Sequence, residues 1–231
     1  QYGCVPVTRN EAPELYDIVE KLAARANLPM PKVYVMNSRV PNAFATGRNP
    51  QHAAVCVTTG LMDALTAPEI AGVLGHEMSH ILHRDILVGT IAAVMAGTIS
   101  ALTRFAFWFG GGRDRDRQNP IASLLILILT PLMAMIIQLA ISRTREYMAD
   151  EAGGALCGDP DELANALEKI DLAAHRTIMA GAQESSAHMF IISPFAGKEA
   201  KSLFSTHPAT EDRIRRLREQ AERMGTRQCI V

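Results

Sequence analysis

Apolar residues change their spacing several times along the chain, and each change marks an element. From Glu11 to Asn27 they recur at helical intervals, and Leu28-Pro29 ends the pattern. Lys32 to Asn37 then alternates and is β-branched, as is Ala53 to Thr59, so both read as strands. Asn42-Ala43-Phe44-Ala45 between them is a candidate for a short third strand. Together they predict a small sheet, antiparallel in part. Helical period returns after Thr66-Ala67-Pro68-Glu69, which carries an N-cap, a first-turn proline and a glutamate three residues after the cap. Ile70, Val73, Leu74, Met78, Ile81 and Leu82 form the apolar stripe of that helix.

Periodicity disappears after residue 85. Ile86 to Thr103 has no charged residue, and Phe105 to Gly112 extends it past Arg104. Ile121 to Ser142 is uncharged as well. At about 1.5 Å per residue either run is long enough to cross a hydrocarbon core of about 30 Å. The polar, glycine-opened stretch 110–120 reads as the turn of a helical hairpin, with Phe105, Phe107, Trp108 and Phe109 at its tip where aromatic rings suit a membrane interface. Ala92/Ala96 and Ala93/Gly97 have the four-residue spacing that favours close helix packing. A buried hairpin of a soluble domain has the same composition. The arginines on the two sides of the hairpin nearly balance, so charge does not set its orientation.

Beyond the hairpin a helix is expected from residue 143 to about Ala155, and another from Pro160 to about Ala182 with Leu163, Leu167, Ile170 and Leu172 on its core face. Gln183 to Ser205 reads as a long loop, and Glu211 to Met224 as a final helix whose Arg213, Arg215, Arg216, Arg218 and Arg223 are expected to face solvent or lipid headgroups. The fold class is therefore α+β, predominantly helical, with a transmembrane hairpin interrupting one domain. Its parts are 1–85, 86–142 and 143–231.

Composition narrows the picture little. The chain has 231 residues, 48% of them apolar, and a net charge of −1, which excludes a disordered or nucleic-acid-binding bias. Cys4, Cys56, Cys157 and Cys229 form no zinc-finger spacing and suit a reducing compartment. The chain opens on Gln1, without a signal pattern, and reads as a fragment.

The chemistry lies in His76-Glu77-Met78-Ser79-His80, an HExxH stretch inside the predicted helix. Two imidazoles four residues apart share a helix face and can grip one zinc ion, while Glu77 points elsewhere and can accept a proton from an attacking water. A catalytic zinc needs a third protein ligand. Glu146 is the candidate, and Asp150, one turn on, can orient a ligating histidine through its far ring nitrogen. Taken alone, residues 142–150 equally fit a charged helix end with surface ion pairs.

HExxH with a later ExxxD helix resembles the glutamate-zincins. Pro41 to Gly47, Ser142 to Asp150 and Phe204 to Glu211 add a resemblance to the HtpX family of membrane zinc proteases, relatives of the CAAX prenyl proteases. The resemblance implies a zinc endopeptidase in a bacterial inner membrane, its catalytic domain cytoplasmic, acting on misfolded or damaged membrane proteins. It implies one Zn2+ held by His76, His80 and Glu146, with Glu77 as base. It places His207 beside the zinc as a donor to the oxyanion, and two further membrane helices before Tyr2-Gly3. An exposed sheet edge would pair with extended polypeptide, which makes Asn42, Ala43 and Phe44 candidate substrate-binding positions, though the residues do not fix which strand is the edge. Two other readings share the motifs: a prenyl-type C-terminal processing protease, and a membrane scaffold with a structural zinc closed by His207.

Overall fold

The computed structural model describes residues 3–47, 49–109, 120–178 and 208–226. The hairpin turn expected at 110–120 lies outside them except for Pro120, as do the loop from Gln183 to Ser205 and His207.

Four strands form a mixed sheet: β1 (Cys4–Pro6), β2 (Lys32–Met36), β3 (Ala43–Thr46) and β4 (Ala54–Thr58), in the order β1-β2-β4-β3. β2 and β4 run parallel, Val33 opposite Val55, while β1 and β3 pair antiparallel on the two sides. The three expected strands are present within a residue or two. β1 has no counterpart in the sequence reading, because three residues are too few to show alternation, and its Pro6 is tolerated only because β1 is an edge. β1 also brings Cys4 beside Cys56, with sulfurs 3.1 Å apart, and burial together with this neighbour pushes the Cys56 thiol up to about 12.

Helix α1 (Pro13–Arg25) lays Leu15, Val19, Leu22 and Ala23 on the core. The short α2 (Thr59–Ala64) leads into α3 (Ala67–Leu82), where Glu69 accepts from the backbone N–H of Thr66 at 2.8 Å as its start signal requires. Glu69 also pairs with Lys169 of α6 (Pro160–Ile178) at 2.7 Å. On α3, Ile70, Val73, Leu74 and Met78 are buried, whereas Leu82 at the end of the stripe is exposed. On α6, Leu163, Leu167 and Ile170 reach the core but Leu172 does not: it is 61% exposed, since the helix turns it away from α3.

α4 (Asp85–Phe109) and α5 (Pro120–Cys157) pack together and carry the apolar runs. Both have an apolar stretch of membrane-spanning length whose large side chains stay out of the core, and Ile91, Val94, Ile99, Ile128 and Ile137 stand exposed. Their hydroxyls bond inward, Thr90, Thr98 and Thr103 each donating to the carbonyl four residues earlier, as lipid demands. Gly97 meets nothing within 4 Å of where a Cβ would stand, so the expected small-residue packing is not made there. α5 continues without a break through Pro131 and residue 142 to Cys157. Its 38 residues make a rod of about 57 Å that runs from the exposed apolar stretch into the packed region around α3 and α6.

Candidate metal centre

α3 and α5 cross where glycine faces glycine. A Cβ on Gly153 would lie 2.6 Å from the His76 nitrogen, and one on Gly75 would lie 2.8 Å from the Gly153 carbonyl oxygen. This close approach brings Glu146 and Asp150, seventy residues downstream of the HExxH stretch, against the two histidines.

His76 Nε2 and His80 Nε2 stand 3.2 Å apart. Glu146 places one carboxylate oxygen 3.6 Å from the former and the other 3.7 Å from the latter. Two ligands of a tetrahedral ion, each about 2.1 Å from it, are about 3.4 Å apart, so these separations match a shared cation. The outer nitrogens say the same. His76 Nδ1 lies 2.8 Å from Asp150 and, although it lacks an ideal hydrogen-bond angle, faces a group that can only accept; His80 Nδ1 lies 2.5 Å from Asp85. Each Nδ1 therefore carries the proton, and the two Nε2 lone pairs converge with a carboxylate. Such a donor set is repulsive unless a positive charge joins it. Burial works against a charged His80, yet its bond to Asp85 and the charges of Glu77, Glu146 and Asp85 prevail and raise its pKa. Imidazole nitrogens with one carboxylate fit zinc.

Glu77 belongs to the same helix turn but not to this cluster. It is buried, and one carboxylate oxygen accepts from the backbone N–H of Ala45 at 3.0 Å. Ala45 sits on β3, the outer strand of the sheet on this side, and its N–H therefore faces away from β4. The backbone of Asn42 is engaged by Thr58, whose N–H donates to its carbonyl while its own N–H donates to the Thr58 hydroxyl. By alternation Phe44 also turns its backbone to β4, so Ala43 and Ala45 present theirs at the free edge. A cleft of about 260 Å³ opens in front, walled by Ala45, Gly47, Glu77, His80, Arg84 and Leu87.

Two groups escaped the sequence reading. Arg213 of α7 (Thr210–Met224) was expected in solvent or at headgroups, but it is 1% exposed and grips Asp150 with two bonds of 2.7 Å. Its helix packs on α5, which turns this arginine inward. Arg215 and Arg218 pair with acidic neighbours instead, and Arg216 stacks 4.0 Å over the Tyr147 ring. The second group is Asp85, which the sequence pattern left without a role as the last residue before the uncharged run and which lies against His80.

A family model described as peptidase family M48 matches residues 9–221. A protease HtpX homolog of Syntrophotalea carbinolica is 55% identical over 208 residues, covering 88% of this chain and 75% of that protein. Another, of Thermococcus kodakarensis, is 52% identical over 229 residues, covering 97% and 79%. Among solved structures, S. mikatae Ste24p superposes with a TM-score of 0.58 at 24% identity, over 93% of this chain and 51% of that one, a likeness of fold alone; the chain spans about half of that structure. A match that runs through both halves of the folded region and across the hairpin means that the chain belongs to peptidase family M48, as a membrane metalloprotease acting on polypeptides.

Proposed function

We propose that His76, His80 and Glu146 hold one zinc ion and that Glu77 is the general base for peptide-bond hydrolysis. The observation that carries the reading is the convergence of two imidazole lone pairs and a carboxylate at tetrahedral spacing, with Glu77 left out of the cluster at its edge. Zinc held there supplies Lewis-acid polarisation of the scissile carbonyl and of the attacking water. Glu77 removes the proton from that water and passes it to the leaving amine. Ala45 holds the carboxylate in place until substrate arrives. Asp150 keeps the His76 ring in one tautomer, and Arg213 keeps Asp150 ionised and oriented. His207 is assigned to stabilising the oxyanion, on the family resemblance alone.

The substrate is an extended polypeptide added to the free edge of β3 through the backbone of Ala43 and Ala45, beside Asn42 and Phe44. Backbone pairing reads chains regardless of side chain, which suits unfolded or damaged protein. Glu146 is four residues, about 6 Å, beyond the end of the uncharged run at Ser142, so the site stands at the mouth of the bilayer and suits membrane proteins as substrates. In this reading 1–85 and 143–231 form one catalytic domain on the cytoplasmic side of an inner membrane, and 86–142 anchors it. Glu77→Gln tests the chemistry. It should bind zinc as the wild type does and lose 10²-fold or more in cleavage of an unfolded polypeptide, on the order expected for a general base. Cleavage kept within a few fold would remove Glu77 from that role.

A further inference from the structure

The two histidines are held alike from behind. His76 faces Asp150 at 2.8 Å, and Asp150 is gripped by Arg213 at 2.7 Å. His80 faces Asp85 at 2.5 Å, and Asp85 is gripped by Arg145 at 3.1 Å. The sequence motif foreshadows the first arrangement only. Asp85 is 7% exposed although it opens a membrane helix, and it reaches His80 because Arg84 before it takes a left-handed backbone conformation, φ +53°. That turn ends α3 and starts α4 within two residues, and a non-glycine residue there is strained, the kind of local cost kept where geometry matters.

We propose that Asp85 is a positioning residue of the metal centre: its carboxylate holds the Nδ1–H of His80 and aims Nε2 at the donor cluster, while Arg145 clamps it from the exit of the same membrane hairpin. One consequence is that the hairpin takes part in the site. The first residue of α4 orients one metal ligand, and on α5 Arg145 directly precedes another, Glu146. A shift of α4 against α5 would therefore be felt at the metal. The alternative is that Asp85 serves only the fold, as an acidic residue in the first turn of α4 and as the partner of Arg145.

The inference rests on His80 being a metal ligand, and the test separates the two claims. Zinc affinity of the detergent-purified full chain is measured by chelator competition, with thermal unfolding of the metal-free form alongside, for wild type, His80→Ala, Asp85→Ala, Asp85→Asn and Arg145→Met. Asp85→Ala should weaken zinc about 10- to 100-fold, the range typical of residues that orient a ligand histidine, without a matching fall in metal-free stability. Asp85→Asn, whose amide oxygen still accepts from Nδ1–H, should recover part of that affinity. Arg145→Met should lose less than Asp85→Ala. Asp85→Ala within twofold of wild type would overturn the positioning role while leaving the metal site intact. So would equal losses for Asp85→Ala, Asp85→Asn and Arg145→Met that track their loss of stability. If His80→Ala binds zinc as the wild type does, the metal-site reading and this inference fall together.

Discussion

At the scale of single residues, the centre depends on charges that are paired before they are useful. Asp150 and Arg213 are both buried, and each is tolerable only because of the other. Removing one partner strands the other, so Arg213→Met should cost about 3–5 kcal/mol, seen as a large drop in unfolding temperature. Arg213→Lys should restore little of it, since one ammonium cannot replace a two-bond grip. If Arg213→Met unfolds like the wild type, the buried pair is not what fixes Asp150. The sequence showed HExxH and ExxxD because their chemistry is tied to local helical spacing. It did not show Arg213, because five arginines on one short helix look alike until tertiary packing chooses which one turns inward. Asp85 was hidden for a related reason: its role depends on a backbone turn at Arg84 that composition does not announce.

Between elements, the critical contact is the crossing of α3 and α5. The sequence correctly placed both helices, but nothing in the pattern said that Gly75 and Gly153 meet. A methyl group at Gly153 would collide with the backbone of His76, which cannot move without taking the proposed metal ligand with it. Gly153→Ala should therefore weaken zinc binding by at least tenfold, whereas Gly97→Ala, in open space, should leave it unchanged; the comparison is made by the same chelator competition. Equal affinities for both variants would show that the crossing has slack. Strand β1 and the exposure of Leu172 were likewise beyond periodicity, the first too short to have one and the second a single position on a regular helix.

Glu69 ties the start of α3 to α6 and makes an electrostatic prediction at the same scale. Burial pushes its pKa up, but Lys169 and the backbone of Thr66 outweigh this, and the net shift is downward. A carboxylate with a depressed folded-state pKa adds stability above the ordinary glutamate range, and that stability is lost as pH falls through the folded value. Glu69→Gln should thus lower the unfolding temperature at neutral pH by a few degrees, about 2–4 °C per kcal/mol, and the difference from wild type should close in acid. A difference independent of pH would assign the effect to shape and not to charge.

In the whole molecule, a helical bundle on a small sheet is joined to two exposed apolar helices that enter and leave within a few residues of the donor cluster. Val94→Asp, in the middle of the first run, should reduce the fraction of chain that partitions into detergent or membrane, while Glu20→Gln on the polar face of α1 should not. The membrane hairpin was legible in the sequence because lipid selects composition, a property that needs no partner. The assembly of the site was legible only through its motifs; its supporting pairs and its helix crossing are properties of the folded chain. The most direct measurement is metal content and zinc affinity of the purified chain beside Glu146→Ala, because Glu146 joins the region after the hairpin to the histidines before it. One zinc per wild-type chain, with binding at least tenfold weaker in the variant, is the predicted result. Zinc bound equally well by both, or by neither, would contradict the shared centre.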